Sequence, residues 1–304
     1  MIREVEKVKF YSEKTDGFIS FSDLKTGRVR VVYLIMFLIL LILALACLLP
    51  VVWALFSAFK TPEEMYKVPA TFLPTTFDFS RIAEVAGRVR IDQYLLNTVY
   101  IIAGCWIVDI IFNGFAGYVL SKIRPKGIPL VETLIFWSMM LPGISMAPLY
   151  MTFVDLPILH INATGSFLPI WLMAGCNAFN IMLMRNFFNG IPKEYMEAAR
   201  IDGCSDAGIF FKIMIPLAKP IIAVITIYSI IGSWNNFMWP YLLLGGTQKE
   251  PLAVLLFQIS GGVVPLKEND TLMVAMMASI PPIIIYACLS KQISGGLNMS
   301  GIKG

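Results

Sequence analysis

The sequence predicts an all-α membrane protein of six transmembrane helices with both termini in the cytoplasm. Three observations predict it. Apolar residues make up 57% and charged residues 14% of the 304 residues, against about 45–50% and about 25% in soluble domains. Six apolar segments approach the roughly 20 residues that a helix needs to cross a bilayer core of about 30 Å. Lys and Arg are spread unevenly over the connections, 17 on one side and 7 on the other, the asymmetry that orients membrane helices. Mean hydropathy is +0.73. This composition excludes a soluble enzyme, a disordered chain and a nucleic-acid-binding domain, and a net charge of +4 is too small for a polyanion binder.

The predicted spans are residues 31–55, 95–119, 131–153, 165–184, 221–243 and 272–290. They must be helices, because lipid offers the backbone no hydrogen-bond partner. Pro50, Pro142, Pro148, Pro169, Pro240, Pro281 and Pro282 fall inside them and predict kinks. The first span is too long for the apolar core of a secretory signal and is read as retained. Residues 1–30 form an N-terminal tail with no assigned role, 31–290 the transmembrane domain and 291–304 a C-terminal tail. The basic side holds both tails, the connection with Lys122, Arg124 and Lys126, and the connection 185–220 with Arg185, Lys193, Arg200, Lys212 and Lys219. That side is therefore cytoplasmic. Three segments, 56–94, 154–164 and 244–271, face outward, and the long first and third have the length of functional loops.

Cysteine and histidine chemistry is sparse. Cys47, Cys105, Cys176 and Cys288 lie in apolar runs and Cys204 in a polar loop, with no CxxC pair and a single histidine, His160. Neither a disulfide framework nor a metal site is indicated.

The cytoplasmic connection reads RNFFNGIPKEYMEAARIDGCSDAGIFFKIMIPLAKP from Arg185 to Pro220. Gly190 breaks the fourth span, and Pro192 suits the first turn of a new helix. Lys193 to Ile201 is a good helix former. Asp202-Gly203 ends that helix, with the glycine left-handed. Ser205 or Asp206 caps the next one, and Pro216 and Pro220 close it. Ala198 and Ala199 beside Glu197 form a small, flat patch. The residues alone leave two readings, a structural elbow or a peg that docks a partner.

Glu197-Ala198-Ala199, three residues, Gly203, nine residues, Ile213, one residue, then Ile215-Pro216 resembles the EAA loop of ABC importer permeases. The family pattern has Leu where this chain has Ile215. Asn97-Thr98, Ala116-Gly117-Tyr118, Trp234-Asn235 followed by Pro240, and the terminal Gly301-Ile302-Lys303-Gly304 extend the likeness to the carbohydrate branch, the smaller permease of maltose-type importers. The resemblance implies the type I importer permease fold. It also implies that Glu197, Ala198, Ala199, Asp202 and Gly203 contact an ATPase subunit. The implied partners are a second related permease, two ATPase copies holding ATP and Mg, an extracellular or periplasmic sugar-binding protein, and a carbohydrate substrate in a bacterial cell membrane. The chain has no Walker loop, G-x-x-x-x-G-K-[ST], so the ATP is expected on the partner. No catalytic constellation is present, so no enzyme activity is expected. The rival readings are a permease for a non-sugar solute such as a peptide, and an ion-coupled carrier.

Polar residues within spans are candidates for function. Asp109 either lines a pathway or receives a coupling proton, or it is protonated and bonded structurally to Asn113 one turn on. Glu132 is expected at the interface. Sugars are held by aromatic faces and amides, which Trp234, Asn235, Asn236 and Tyr241 supply, as do Trp171 and Asn177. Interfacial anchoring and helix–helix hydrogen bonding are the structural alternatives for these residues.

Overall fold

The computed structural model describes residues 27–140, 146–158 and 160–299, and side chains between 30 and 288 of these. The tail 1–26, Pro142 and the terminal 301–304 lie outside the described residues. Among the described residues all regular structure is helical. The chain divides into two units, Met1–Phe56 and Ser57–Gly304. The first contains nearly all of α1 (Gly27–Ser57), the predicted first span, apolar around its whole circumference, as a lipid-solvated helix must be.

The second unit begins with α2 (Pro62–Met65), closed by a capping box in which Thr61 and Glu64 exchange hydrogen bonds. The first outward segment also holds an unpredicted helix, α3 (Ser80–Val89). It is amphipathic: Val85 is buried, while Arg81 and Arg88 both pair with Asp270 at 2.8 and 2.9 Å. The second span runs without a break from Ile91 to Ile123. It comprises α4 (Ile91–Val108), a π turn (Asp109–Asn113), α5 (Gly114–Tyr118) and a second π turn (Val119–Ile123). The third segment contains α6 (Ile128–Met140) and α7 (Met146–Val154).

The fourth and fifth segments are interrupted. The fourth is α8 (Leu168–Ala174) and α9 (Ala178–Asn189), separated by Gly175, Cys176 and Asn177. Next come α10 (Glu194–Ile201), α11 (Asp206–Ile209), a π turn (Phe210–Met214) and α12 (Ile215–Leu217). The fifth is α13 (Lys219–Asn235), broken at the extended Asn236 before α14 (Met238–Leu244). The chain continues through α15 (Leu252–Ser260) to α16 (Glu268–Met299), the sixth segment.

Three helical stretches among the described residues are long and apolar enough to cross a membrane: Arg30–Ser57, Ile91–Ile123 and Glu268–Cys288. The pair Asp206–Leu217 and Lys219–Asn235, bent by 82°, brings the number to four. Six spans, kinked at their prolines, were expected. The difference comes from the interruptions: α8, with 7 residues, and α9, with 12, rise about 10 and about 18 Å, each short of a bilayer core.

Three buried clusters follow one another along the second span. Val85, Ile91, Leu252, Leu255 and Met273 pack around its start. Ile101, Cys105, Phe153, Ile170 and Leu244 pack around its middle. Tyr118, Met184, Phe188, Phe210 and Met214 pack around its end. Close approach in the last cluster depends on Gly117, where a Cβ would meet Met184 Cβ at 2.7 Å and the Arg185 backbone nitrogen at 2.9 Å. Small residues serve helix packing in this way where lipid supplies no hydrophobic drive between helices.

Candidate functional site

Two places carry the functional candidates. The first is the connection between the fourth and fifth segments. α9 ends at Asn189, and α10 forms as the sequence predicts, one residue shorter at its start. Gly203 has φ +79°, the left-handed conformation that ends the helix. Ser205 caps α11, its hydroxyl accepting from the Gly208 N–H at 3.2 Å. Asp206 instead binds Arg200 at 2.9 Å and ties the two helices together. The chain then turns through 82° at the fully buried Ala218. Pro216 and Pro220 flank this elbow, and neither has an N–H to carry an α-helix through it.

One face of α10 is buried. Met196 and Ala199, three residues apart, point into the cluster of Tyr118, Phe188 and Phe210. Ala199, expected in the exposed patch, is only 5% exposed. The opposite face holds Glu194, Glu197, Ala198 and Ile201, all exposed. Asp202 and Gly203 are exposed beside them. Ile201 is 86% exposed, the most prominent apolar group on the loop. The spacing of Met196 and Ala199 from Ile201 would have separated the two faces in the sequence. Lys122 Nζ donates to the Ile191 carbonyl at 2.6 Å, and Arg124 donates to Asn189 Oδ1 at 3.2 Å. The two basic connections are therefore bound to each other. Glu132 of α6 pairs with Arg185 of α9 at 2.6 Å, a partner not anticipated in the sequence.

The second place is a cavity of about 400 Å³ between the second, fourth and fifth segments. It lies where all three are irregular: at the π turn 109–113, at the break 175–177 and at Asn236. Asp109 is 3% exposed and lines it. The Asp109 carboxylate accepts from Asn113 Nδ2 at 2.6 Å, the partner the sequence offered as its structural reading. Asn180 Nδ2 is a second donor to it. Asn113 also donates to the Ala174 carbonyl at 2.8 Å, and its Oδ1 accepts from the Asn177 N–H at 3.2 Å. It thus satisfies backbone groups that the break between α8 and α9 leaves open. Asn177 caps α9 through its side-chain oxygen, which accepts from the Asn180 N–H at 3.1 Å.

Of the residues expected on a substrate pathway, Asn236 and Asn177 line this cavity. Trp234 packs against the cluster around Val85 and Leu252. Asn235 donates back to the Ile231 carbonyl of its own helix at 2.9 Å. Tyr241 packs edge-on against Phe257 at 5.2 Å. Trp171 lies over Gly104, where a Cβ would come within 2.1 Å of the indole nitrogen. Sequence reading missed Asn180, and it missed Ser229, Gly232 and Ser233, which complete a stripe with the expected Asn236 on the cavity wall. The stripe's i, i+3, i+4, i+7 spacing is a legible single-face signal.

Residues 113–291 match the family described as the binding-protein-dependent transport system inner membrane component. A polygalacturonan/rhamnogalacturonan transport system permease protein of Bacillus subtilis is 30% identical over 279 residues, covering 87% of this chain and 96% of that protein. An arabinooligosaccharides transport system permease protein of the same organism is 27% identical, covering 88% and 94%. A melibiose/raffinose/stachyose import permease protein, also of B. subtilis, is 30% identical, covering 76% and 83%. Among solved structures, a chain of a bacterial ABC transporter involved in import of the acidic polysaccharide alginate superposes with TM-score 0.75 at 29% identity, covering 90% of this chain and 99% of that one. The match over more than half the chain, with an elbow that carries the EAA spacing, shows that this protein belongs to the family of binding-protein-dependent transport system inner membrane components.

Proposed function

We propose that this chain is a permease subunit of an ATP-driven carbohydrate importer in a bacterial cell membrane, crossing it six times with both termini in the cytoplasm. It supplies one wall of the substrate pathway and one docking peg, and performs no chemistry itself. A second related permease completes the pathway. Two ATPase subunits, holding ATP and Mg, dock on the cytoplasmic loops, and an external binding protein delivers the sugar. The single observation that carries this reading is the elbow. The end of the second span, α9, α10 and α11 pack on one another through Tyr118, Phe188, Met196 and Ile209, and residues 206–217 are set at 82° to α13. The outward face of α10 carries Glu197, Ala198 and Ile201. A push on that face moves the second, fourth and fifth segments together, which is what coupling an ATPase to a gate requires. The hydrogen bonds between the 122–124 and 189–191 connections support placing both on one side, as the basic residues predict. The sugar assignment draws its support from the names of the relatives.

The test is the purified complex with Glu197→Arg and Gly203→Val, separately and combined. Substrate-stimulated ATPase activity is expected to collapse while the chain still inserts into the membrane. Full stimulated activity in the double variant would refute the docking role.

A further inference from the structure

Three cations share a cleft at the end of the second span. Lys122, Arg124 and Lys193 line an open cavity of about 340 Å³ with Asn189 and Ile191, and the one carboxylate on its wall is Glu194. Elsewhere the chain answers its own cations: Arg81 and Arg88 pair with Asp270, Arg185 with Glu132 and Arg200 with Asp206. Among the described residues Lys122, Arg124 and Lys193 form no such pair. Like charges gathered in one place repel unless an anion answers them. Here they are also held in place. Lys122 Nζ donates to the Ile191 carbonyl at 2.6 Å, and Arg124 donates to the Ser121 carbonyl at 2.9 Å and to Asn189 Oδ1 at 3.2 Å. An ammonium carries three N–H groups and a guanidinium five, so both keep donors to spare. α10 begins on the same wall with no side chain capping it, and uncapped N–H groups at a helix start favour an anion.

The position selects the kind of anion. The second span, Ile91–Ile123, has 33 residues and rises about 50 Å. A bilayer with its headgroup regions is about 40–45 Å thick. The last turn, with Lys122, therefore lies at headgroup depth, on the side that the basic residues place in the cytoplasm. Apolar surface adjoins the cations. Ile123, between Lys122 and Arg124 in the chain, is exposed, as are Leu130 and Val131 at the start of α6. No residue of α6 is buried. A phosphodiester with acyl chains matches such a boundary, and basic pockets at this depth bind anionic headgroups. A soluble phosphate would match the cations and leave the apolar surface unmatched.

We propose that this cleft binds the phosphodiester headgroup of an anionic phospholipid, held by Lys122, Arg124 and Lys193, with Glu194 weakening the grip. The site goes beyond the importer reading: it involves neither the sugar nor the ATPase, and a complex that transports normally can still fail its test.

The experiment uses the purified complex of this chain with its partner permease and ATPase. It is titrated in detergent with phosphatidylglycerol and, separately, with phosphatidylcholine, and bound lipid is counted by native mass spectrometry. Wild type is expected to bind phosphatidylglycerol the more tightly. Lys193→Gln is expected to weaken retention of one phosphatidylglycerol about fivefold, the effect of one basic residue at a membrane surface. Lys212→Gln removes an exposed cation outside the cleft and is expected to change nothing. Glu194→Gln is expected to strengthen retention by about the same factor, a gain that misfolding cannot imitate. Equal losses for the two lysine variants would overturn the site in favour of a diffuse surface charge. Unchanged retention in Lys193→Gln or in Glu194→Gln would also overturn it. Displacement of the lipid by inorganic phosphate at constant ionic strength would overturn the lipid assignment. Loss of the ATPase from Lys193→Gln with lipid retention unchanged would give the cleft to the ATPase instead.

Discussion

Asn180 Nδ2 lies 2.9 Å from both carboxylate oxygens of Asp109, 71 residues away in the chain. This fork joins the fourth segment to the second where each departs from the regular α-helix. A carboxylate in a low-dielectric interior is costly unless hydrogen-bonded, and a hydrogen bond to a charged group contributes about 1.5–3 kcal/mol. Asn180→Leu keeps the branched shape, with somewhat more bulk, and removes both contacts. The thermal midpoint of the detergent-purified complex is expected to fall, by the equivalent of about 2 kcal/mol in stability. An unchanged midpoint would mean that Asn113 alone satisfies the carboxylate.

Two glycines predict opposite outcomes for the same substitution. At Gly117 an added methyl meets backbone atoms of α9, among them the Ile181 carbonyl at 3.1 Å, which cannot swing away. Gly117→Ala is expected to destabilise by about 1–3 kcal/mol, the range for overpacking. At Gly87, inside α3 and exposed, nothing lies within 4 Å. Gly87→Ala is expected to stabilise by about 0.5–1 kcal/mol through helix propensity. Thermal shifts of the two variants in one complex check both signs, and equal signs would contradict the packing described.

The two positions also show how far the sequence could be read. The connection 185–220 was legible in detail because proline, glycine and serine act locally: Gly203 takes positive φ and Ser205 caps α11 wherever the rest of the chain lies. The long spans were legible because solvation by lipid acts on composition. The interruption at 175–177 was not, because no proline marks it. Its carbonyl and N–H groups are satisfied by Asn113, which is distant in sequence. α3 was missed because its Arg and Glu residues read as loop until Asp270 is placed beside Arg81 and Arg88. Ala199 was read into the patch with Ala198 because both are small, and small size does not say which way a residue points.

Asp270 makes its own prediction. It is buried and receives two guanidinium groups from α3. Asp270→Ala leaves Arg81, itself largely shielded at 19% side-chain exposure, without its carboxylate. Breaking a shielded pair from one side costs more than a surface pair, for which about 0–1 kcal/mol is typical. A stability loss of about 2–3 kcal/mol is expected, with earlier proteolysis within residues 78–89. Arg88→Ala, at the more exposed partner, is expected to cost less than half as much, because Arg81 remains. Limited proteolysis and thermal melts of the two variants, compared side by side, test that order.

The last prediction concerns Ile201. An isoleucine at 86% exposure on the connection between α9 and α13, diametrically opposite the buried Met196 and Ala199, gains nothing from the fold of this chain. On the docking reading its side chain enters a cleft of the ATPase, where full burial of an isoleucine contributes about 1.5–3 kcal/mol. Ile201→Asp is expected to leave the fold of the chain unchanged, since no contact within it is lost. It is expected to weaken ATPase association by about 10- to 100-fold, the equivalent of that burial in an equilibrium constant. Ile201→Leu, which restores the apolar surface, should recover most of the affinity. Co-purification against increasing ATPase concentration measures it. If Ile201→Asp binds as wild type does, the ATPase approaches through Glu194 and Glu197 alone, and association should then weaken steeply with salt, which the apolar contact does not predict.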